Sequence, residues 1–181
     1  MKIQIVVRRS AIVQAEKHAQ QDPTLEVGGV LLGKFVLNAD TLQVLVVGIV
    51  RALKAESTTL AIKFTPTTWT EIWKCIDGHK HYADEKQWQI VGWYHTHPNV
   101  GAFFSSHDAN FHKVFTSRGH IALVIDPTRS EKAFFCWDDL QEVMNCYPLN
   151  NIQETSDEEM YNLIQGTTSS ILPSLPDCEI Y

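Results

Sequence analysis

The chain has 181 residues, 44% apolar and 20% charged, with a net charge of −6, which suits one soluble globular domain with room for a tail and is too short for two ordinary domains. Nine of its 21 acidic residues and none of its 15 lysines and arginines lie after residue 137, so 1–137 is nearly balanced and lacks the strongly basic face of a general nucleic-acid binder. No apolar run approaches the roughly 18 residues that a membrane-spanning helix needs.

Residues 2–7 read as a first strand, and the arginines that follow at 8 and 9 set this stretch apart from a secretory signal. A cytoplasmic protein is expected. Ser10 is the expected cap of a helix to about Gln21, stopped by Pro23. Glu26 then stands at the entrance of an apolar run, 25–33, that contains Gly28, Gly29 and Gly33. Glycine weakens a strand unless a neighbouring backbone or a ligand must come close, so these glycines predict a crowded cleft. Residues 42–50 form a β-branched run typical of a buried strand, paired with the preceding one through a turn at 37–41. The segment 52–59 loses its apolar content and 60–64 regains it, which predicts a solvent-exposed excursion.

Thr65-Pro66 opens a helix with Thr68 and Glu71 at capping-box spacing, and Trp69, Ile72, Trp73 and Ile76 predict the face that packs on a sheet. Residues 88–94 are the next strand and deliver His95 to the sheet's end. After a loop at 98–104, Ser105 or Ser106 caps a helix with Phe111, Val114 and Phe115 on its inner face, stopped by Gly119. Residues 120–126 and 132–137 form a hairpin across Asp126-Pro127-Thr128-Arg129. Beyond Trp137 the pattern loosens. Ser156 and Glu159 cap a short helix to Gln165 with apolar Met160, Leu163 and Ile164, Gly166 ends it, and 167–181 are expected to be mobile. The organisation is thus a domain at 1–137 and an acidic extension at 138–181, which either docks on the domain or contacts a partner. Cys75, Cys136, Cys146 and Cys178 show no CxxC spacing and are expected to be thiols.

The chemistry centres on His95-Thr96-His97 and the Asp108 that follows. Two histidines at i and i+2 at the end of an extended segment project to one side, and a carboxylate brought back by the next turn completes a three-ligand face. Three protein ligands leave the fourth position of zinc open, as in catalytic sites, and imidazole with one carboxylate suits zinc better than magnesium or calcium. One Zn²⁺ per chain is expected. His107 and His112 read as surface or supporting groups, and His79 and His81 as a solvated helix end.

With Glu26, the HxH pair, Ser105 and Asp108 at their offsets, the chain resembles the JAMM or MPN+ metallopeptidase family. Glu26, Gly29, Leu31 and Gly33 look like that family's first active-site strand. Gly92-Trp93-Tyr94-His95-Thr96-His97-Pro98 is close to the form in the proteasome-lid and signalosome deubiquitinases. The resemblance covers about residues 1–137. It implies an α/β architecture, the MPN (JAB) fold, with a curved mixed β-sheet flanked by helices and related to cytidine deaminase-like folds.

It also implies hydrolysis of the isopeptide or peptide bond after the C-terminus of ubiquitin or a ubiquitin-like modifier, with conjugates of these proteins as substrates. By that resemblance His95, His97 and Asp108 bind zinc, Glu26 contacts the zinc-bound water and Ser105 sits beside the scissile carbonyl. Zinc lowers the pKa of its water from about 16 towards 7, and a carboxylate within reach can carry the proton to the leaving amine. Ser105 serves as a helix cap, an oxyanion donor or both, with Ser106 available as cap. The family often sets a segment after the second sheet strand beside the modifier's extended tail. Here the candidates are Ala55, Glu56, Ser57, Thr58, Thr59, Leu60, Ala61 and Ile62, where strand addition would supply main-chain hydrogen bonds. Two other readings are processing of a sulfur-carrier-type modifier and a non-catalytic modifier-binding or scaffold module. A zinc deaminase needs HxE and PCxxC, which the sequence lacks.

Overall fold

The computed structural model describes residues 2–79, 88–115, 119–137, 144–147 and 152–165. The expectations for His81, Gly166 and 167–181 lie outside them. In chain order the elements are β1 (Lys2–Arg8), α1 (Arg9–Gln21), β2 (Gly28–Asn38), β3 (Thr41–Arg51), β4 (Glu56–Ser57), β5 (Ile62–Lys63), α2 (Pro66–Gly78) and β6 (Gln89–Thr96). They continue with α3 (Ser106–His112), β7 (Ile121–Asp126), β8 (Glu131–Trp137), β9 (Met144–Tyr147), β10 (Ile152–Thr155) and α4 (Asp157–Gln165). Eight strands form one mixed sheet in the order β10-β1-β3-β2-β6-β7-β8-β9, and β4 and β5 form a separate ribbon. β1 runs parallel to β3 and β10, and β6 parallel to β7. The register of β2 slips against both neighbours between Leu31 and Gly33, and such irregularities bend a strand and curl its sheet. The architecture is the expected α/β one, a curved mixed sheet flanked by helices.

Strand alternation divides the apolar residues between two faces. Ile5, Val7, Val44 and Val46 join Ala11, Ile12, Ala15 and Ala19 of α1 in one core, and the three alanines at four-residue spacing let that helix lie close to the sheet. Val6, Leu45 and Val47 belong to the other face and are covered by Met160 and Tyr161 of α4. Farther along that face Val30, Leu32, Trp93, Val124 and Phe135 pack with Ile72 of α2 and with Phe115.

The extension is therefore built into the sheet. β9 pairs with β8, β10 pairs with β1, and α4 docks through a fork in which the Arg8 guanidinium donates to both Asp157 carboxylate oxygens at 2.6 Å. The Arg8 side chain is 4% exposed, and a cation so deeply buried needs its partner.

Several local expectations shift. α1 starts at Arg9, its N-cap Arg8 makes no side-chain cap bond, and Ser10 instead donates to Asp157 at 3.3 Å. The capping box of α2 is made by Thr65 and Thr68, not by Thr68 and Glu71, and Thr68 also donates to the Lys54 carbonyl at 2.8 Å. Trp69, Ile72 and Ile76 pack on the core as expected, Thr68 and Cys75 are buried beside them, and Trp73 is left half-exposed. Val114 is exposed too, because α3 ends at His112. Cys136 is the expected buried thiol, whereas Cys75 is disulfide-bonded.

Beneath α1, His18 is buried with its Nδ1 2.7 Å from the Tyr94 hydroxyl. Burial, helped by the charge of Arg51, pushes the His18 pKa down to about 4. The unfolded chain binds this proton below about pH 6.5 and the folded chain only near pH 4, so the folded state loses ground across that window as pH falls. Thermal unfolding followed from pH 7 to pH 4 should show a falling midpoint, with a smaller fall in His18→Leu. An identical slope in the variant would remove His18 as a source of acid sensitivity.

Candidate metal centre

β6 lies between β2 and β7, and its side chains alternate between the two faces. Trp93 and His95 point to the α2 and α3 side. His97 follows them, because its N–H donates to the Ile125 carbonyl at 2.9 Å and carries the β7 pairing one residue past the strand. α3 brings the third group. Ser105 accepts the Asp108 N–H at 3.1 Å, and Asp108 Oδ2 accepts the Ser105 N–H at 2.7 Å, a reciprocal capping box that fixes the carboxylate on the first turn. Ser105 is thus the cap, and Ser106 is the first helical residue.

Three donors converge. His95 Nε2 lies 3.0 Å from His97 Nε2 and 3.1 Å from Asp108 Oδ1, and His97 Nε2 lies 3.4 Å from Asp108 Oδ2. A tetrahedral zinc ion with bonds of about 2.0–2.1 Å wants donors about 3.3 Å apart, and each of these pairwise approaches, made to the two oxygens of Asp108 in turn, is close to that. Among the described residues these three form the candidate metal-binding group. Each is at most 4% exposed.

The environment separates their protonation. Burial lowers the pKa of His95 despite the adjacent Asp108. Burial opposes charge on His97 as well, but its bond to Asp108 and that carboxylate's charge raise it on balance. Burial alone would raise Asp108, yet the two histidines and Ser105 hold its carboxyl far below the ordinary range.

Glu26 enters from the side, two residues before β2, with its carboxylate 3.9 Å from His97 Nε2 and 4% of its surface exposed. Burial pushes it up to about 7, with His97 pulling down and Asp108 pushing up. Its chain neighbours are stitched to β6 by Thr96, whose Oγ1 accepts the Val27 N–H at 2.9 Å and donates to the Leu25 carbonyl at 3.4 Å. Gly28 pairs with His95, and a Cβ there would run into the Tyr94 carbonyl. The crowding signalled by the glycines is therefore that of neighbouring backbone.

The segment 55–62 forms the β4–β5 ribbon and its turn. Glu56 pairs with Lys63 and Ser57 with Ile62, and the Thr58 carbonyl accepts the Glu26 N–H at 2.8 Å. Leu60 is 80% exposed at the tip, Thr58, Thr59 and Glu56 are exposed, and Ala61, Ala55 and Ser57 are half-buried. Ile62 is buried in the core and anchors the ribbon, and its backbone N–H donates to the Glu26 carboxylate.

Two further residues support this centre: Asp126, read from the sequence only as part of a turn, and His112, one of the groups read as surface or supporting. Asp126, fully buried at the end of β7, accepts the N–H groups of Asn99 at 3.1 Å, Thr128 at 2.9 Å and Arg129 at 3.1 Å on Oδ1, and that of Gly101 at 2.7 Å on Oδ2. Burial works against its charge, but those four donors hold it below the usual carboxylate range. It clamps the loop between His97 and Ser105, whose Gly101 has a φ of 96°. Its only signal was the Asp-Pro turn signature. His112 is wholly buried and accepts the Trp93 Nε1–H at 2.8 Å on Nδ1, and burial keeps its pKa down at about 4. Its i+4 spacing from Asp108 was the available clue. His107 is exposed as expected, and His79 bonds the Cys75 carbonyl at 2.8 Å.

A family model described as prokaryotic homologs of the JAB domain matches residues 9–138. The chain belongs to this family. The match includes Glu26, His95, His97, Ser105 and Asp108, and it ends one residue after β8. Among curated relatives, the ubiquitin carboxyl-terminal hydrolase RPN11 of Saccharomyces cerevisiae is 29% identical over 164 residues, 87% of this chain and 51% of that protein. The 26S proteasome non-ATPase regulatory subunit 14 of Drosophila melanogaster is 29% identical over 131 residues, 71% of this chain and 40% of that one. The JAB chain thus spans about half or less of the length of these relatives. The solution structure of a protein from Desulfitobacterium hafniense shares the fold at a TM-score of 0.58 and 15% identity, covering 86% of this chain and 97% of its own.

In this JAB domain the clamp at Asp126 is open to direct test. Asp126→Asn sets an amide donor against backbone donors and removes charge from the acceptor, so urea denaturation should report a loss of about 1.5–3 kcal/mol, the range for hydrogen bonds to a charged group. Unchanged stability would mean that the loop holds its shape without the carboxylate.

Proposed function

We propose that this chain is a zinc-dependent isopeptidase or peptidase that cuts the bond after the C-terminus of ubiquitin or a ubiquitin-like modifier, acting in the cytoplasm. The observation that carries the reading is the convergence of His95, His97 and Asp108 within 3.0–3.4 Å, with the Glu26 carboxylate at 3.9 Å. The relatives that bear a ubiquitin-hydrolase or proteasome-subunit name support the substrate class.

His95, His97 and Asp108 would hold one Zn²⁺, which when bound supplies Lewis acidity and makes a water nucleophilic near neutral pH. The protein's own part is acid–base chemistry and orientation. Glu26, whose carboxyl burial brings to about 7, takes a proton from the attacking water and hands it to the leaving amine. Its backbone is tied to Thr96 through its neighbours and to Thr58 directly, which keeps the carboxylate on the site. We assign the Ser105 hydroxyl to the scissile carbonyl, where one donor is worth about 2.7–4 kcal/mol of transition-state stabilisation. The modifier's extended tail would lie against the ribbon formed by Ala55, Glu56, Ser57, Thr58, Thr59, Leu60, Ala61 and Ile62 by strand addition.

The test is cleavage of a panel of isopeptide-linked and linear ubiquitin-like conjugates, with zinc content measured alongside. Wild type should cleave at least one member, Glu26→Gln should keep zinc and lose cleavage, and a zinc chelator should abolish it. A protein that holds neither zinc nor activity would point to the modifier-binding module instead, and preference for a sulfur-carrier-type modifier would select the processing reading. In the same assay Ser105→Ala should retain zinc and lose roughly 100- to 1,000-fold in kcat, whereas loss of zinc would reduce Ser105 to a support of Asp108. Prolines at Thr58 and Thr59 should raise KM, and unchanged kinetics would take the ribbon out of substrate binding.

A further inference from the structure

Asp108 and His112 lie four residues apart on α3 and are both buried, so one face of this helix turns two side chains towards β6. Asp108 meets the histidines directly. His112 meets them through Trp93. The indole Nε1–H donates to His112 Nδ1 at 2.8 Å, and the indole plane lies over the His95 imidazole with centroids 4.3 Å apart and planes 9° from parallel.

This stack takes the place of a more usual device. A ligating imidazole normally donates its second N–H to a carboxylate or carbonyl, which fixes the ring's orientation. Among the described residues the His95 Nδ1 atom is buried without a hydrogen-bond partner. Its plane is set instead by the indole above it and by the strand that carries it. The indole in turn has one polar atom, and that atom is held by His112. His112 cannot yield easily, because it is enclosed by the rings of Phe104, Phe115 and Trp137 at centroid distances of 5.5–6.0 Å. Accepting on Nδ1 also fixes its tautomer, with the proton on Nε2.

We propose that His112 is a positioning residue of the metal site: its hydrogen bond to Trp93 holds the indole that sets the plane of the His95 imidazole. This rests on the zinc reading of His95, His97 and Asp108. It makes α3 a two-armed support that supplies one ligand through Asp108 and orients another through His112.

The test compares His112→Leu, which fills the space without an acceptor, with His112→Asn, which keeps an acceptor oxygen near the Nδ1 position. The full chain is used, and the readouts are zinc affinity by chelator competition, the visible absorption of the Co²⁺-substituted protein, and urea stability of the metal-free protein. His112→Leu should bind zinc about 10- to 100-fold more weakly, the range for lost supporting contacts, and shift the Co²⁺ bands, while His112→Asn should restore both. Should the leucine variant fail to fold, Trp93→Phe, which keeps an aromatic ring and removes the N–H, should show the same weakening. Equal zinc affinity and an unshifted Co²⁺ spectrum in His112→Leu, or equal weakening in leucine and asparagine variants in proportion to their stability loss, would overturn the positioning role and leave the zinc site standing. A wild-type protein that binds no zinc would overturn both.

Discussion

Gathering two imidazoles and two carboxylates at one nearly dry point is the constraint on which the rest of this fold turns. His95, His97, Asp108 and Glu26 are each 4% exposed or less, and groups of this kind taken from water without compensation cost several kcal/mol apiece. Left to themselves they would separate. The surrounding structure prevents this with supports that belong to different parts of the chain: β6 hydrogen-bonded on both sides, a capped helix behind Asp108, and Thr96 gripping the segment that carries Glu26. None would persist alone. A seven-residue helix such as α3 is far below the length at which isolated helices are stable, and it exists because its cap and its aromatic face are used by the sheet beneath it.

The same logic explains the arrangement of β6. Tyr94 and His95 are chain neighbours in opposite environments, one bonded to His18 under α1 and the other stacked on Trp93 at the metal centre. Thr96 lies between the two histidines in sequence but turns its hydroxyl to the backbone on either side of Glu26. A single extended segment thereby serves both cores and the site at once, and a register slip of one residue would exchange all of these roles.

The parts legible in the sequence were those written in local spacing. The HxH alternation, the Ser105-to-Asp108 capping interval and the β2–β3 hairpin each depend on residues a few positions apart, and the fold has them where the spacing put them. What failed to show was set by distant contacts. Thr68, caught on the Lys54 carbonyl, widens the buried face of α2 towards Cys75, and Trp73 faces water while Trp69, Ile72 and Ile76 stay on the core. Ser10 is claimed by Asp157, which no local rule could foresee. β10, with the sequence Ile-Gln-Glu-Thr, carries almost no apolar alternation and is a strand because the open edge of β1 receives it. His112 was half-visible: its offset from Asp108 was plain, but which side of so short a helix stays covered is decided by the aromatic rings that close around it.

The pairing of β10 with β1 has a consequence for the order in which the molecule can be made. Residues 2–8 leave the ribosome well before the strand that covers their outer edge and the helix that covers Val6, Leu45 and Val47, which lie about 150 residues later. Until those residues emerge, a growing chain that has already formed β1, β3 and α1 shows an open strand edge beside an uncovered apolar face, the surface most prone to pair with another chain. Arg8 adds to this, since its guanidinium stays without Asp157 for the same interval. Contacts of such long sequence separation slow folding. The sheet can therefore be shaped early but sealed only late.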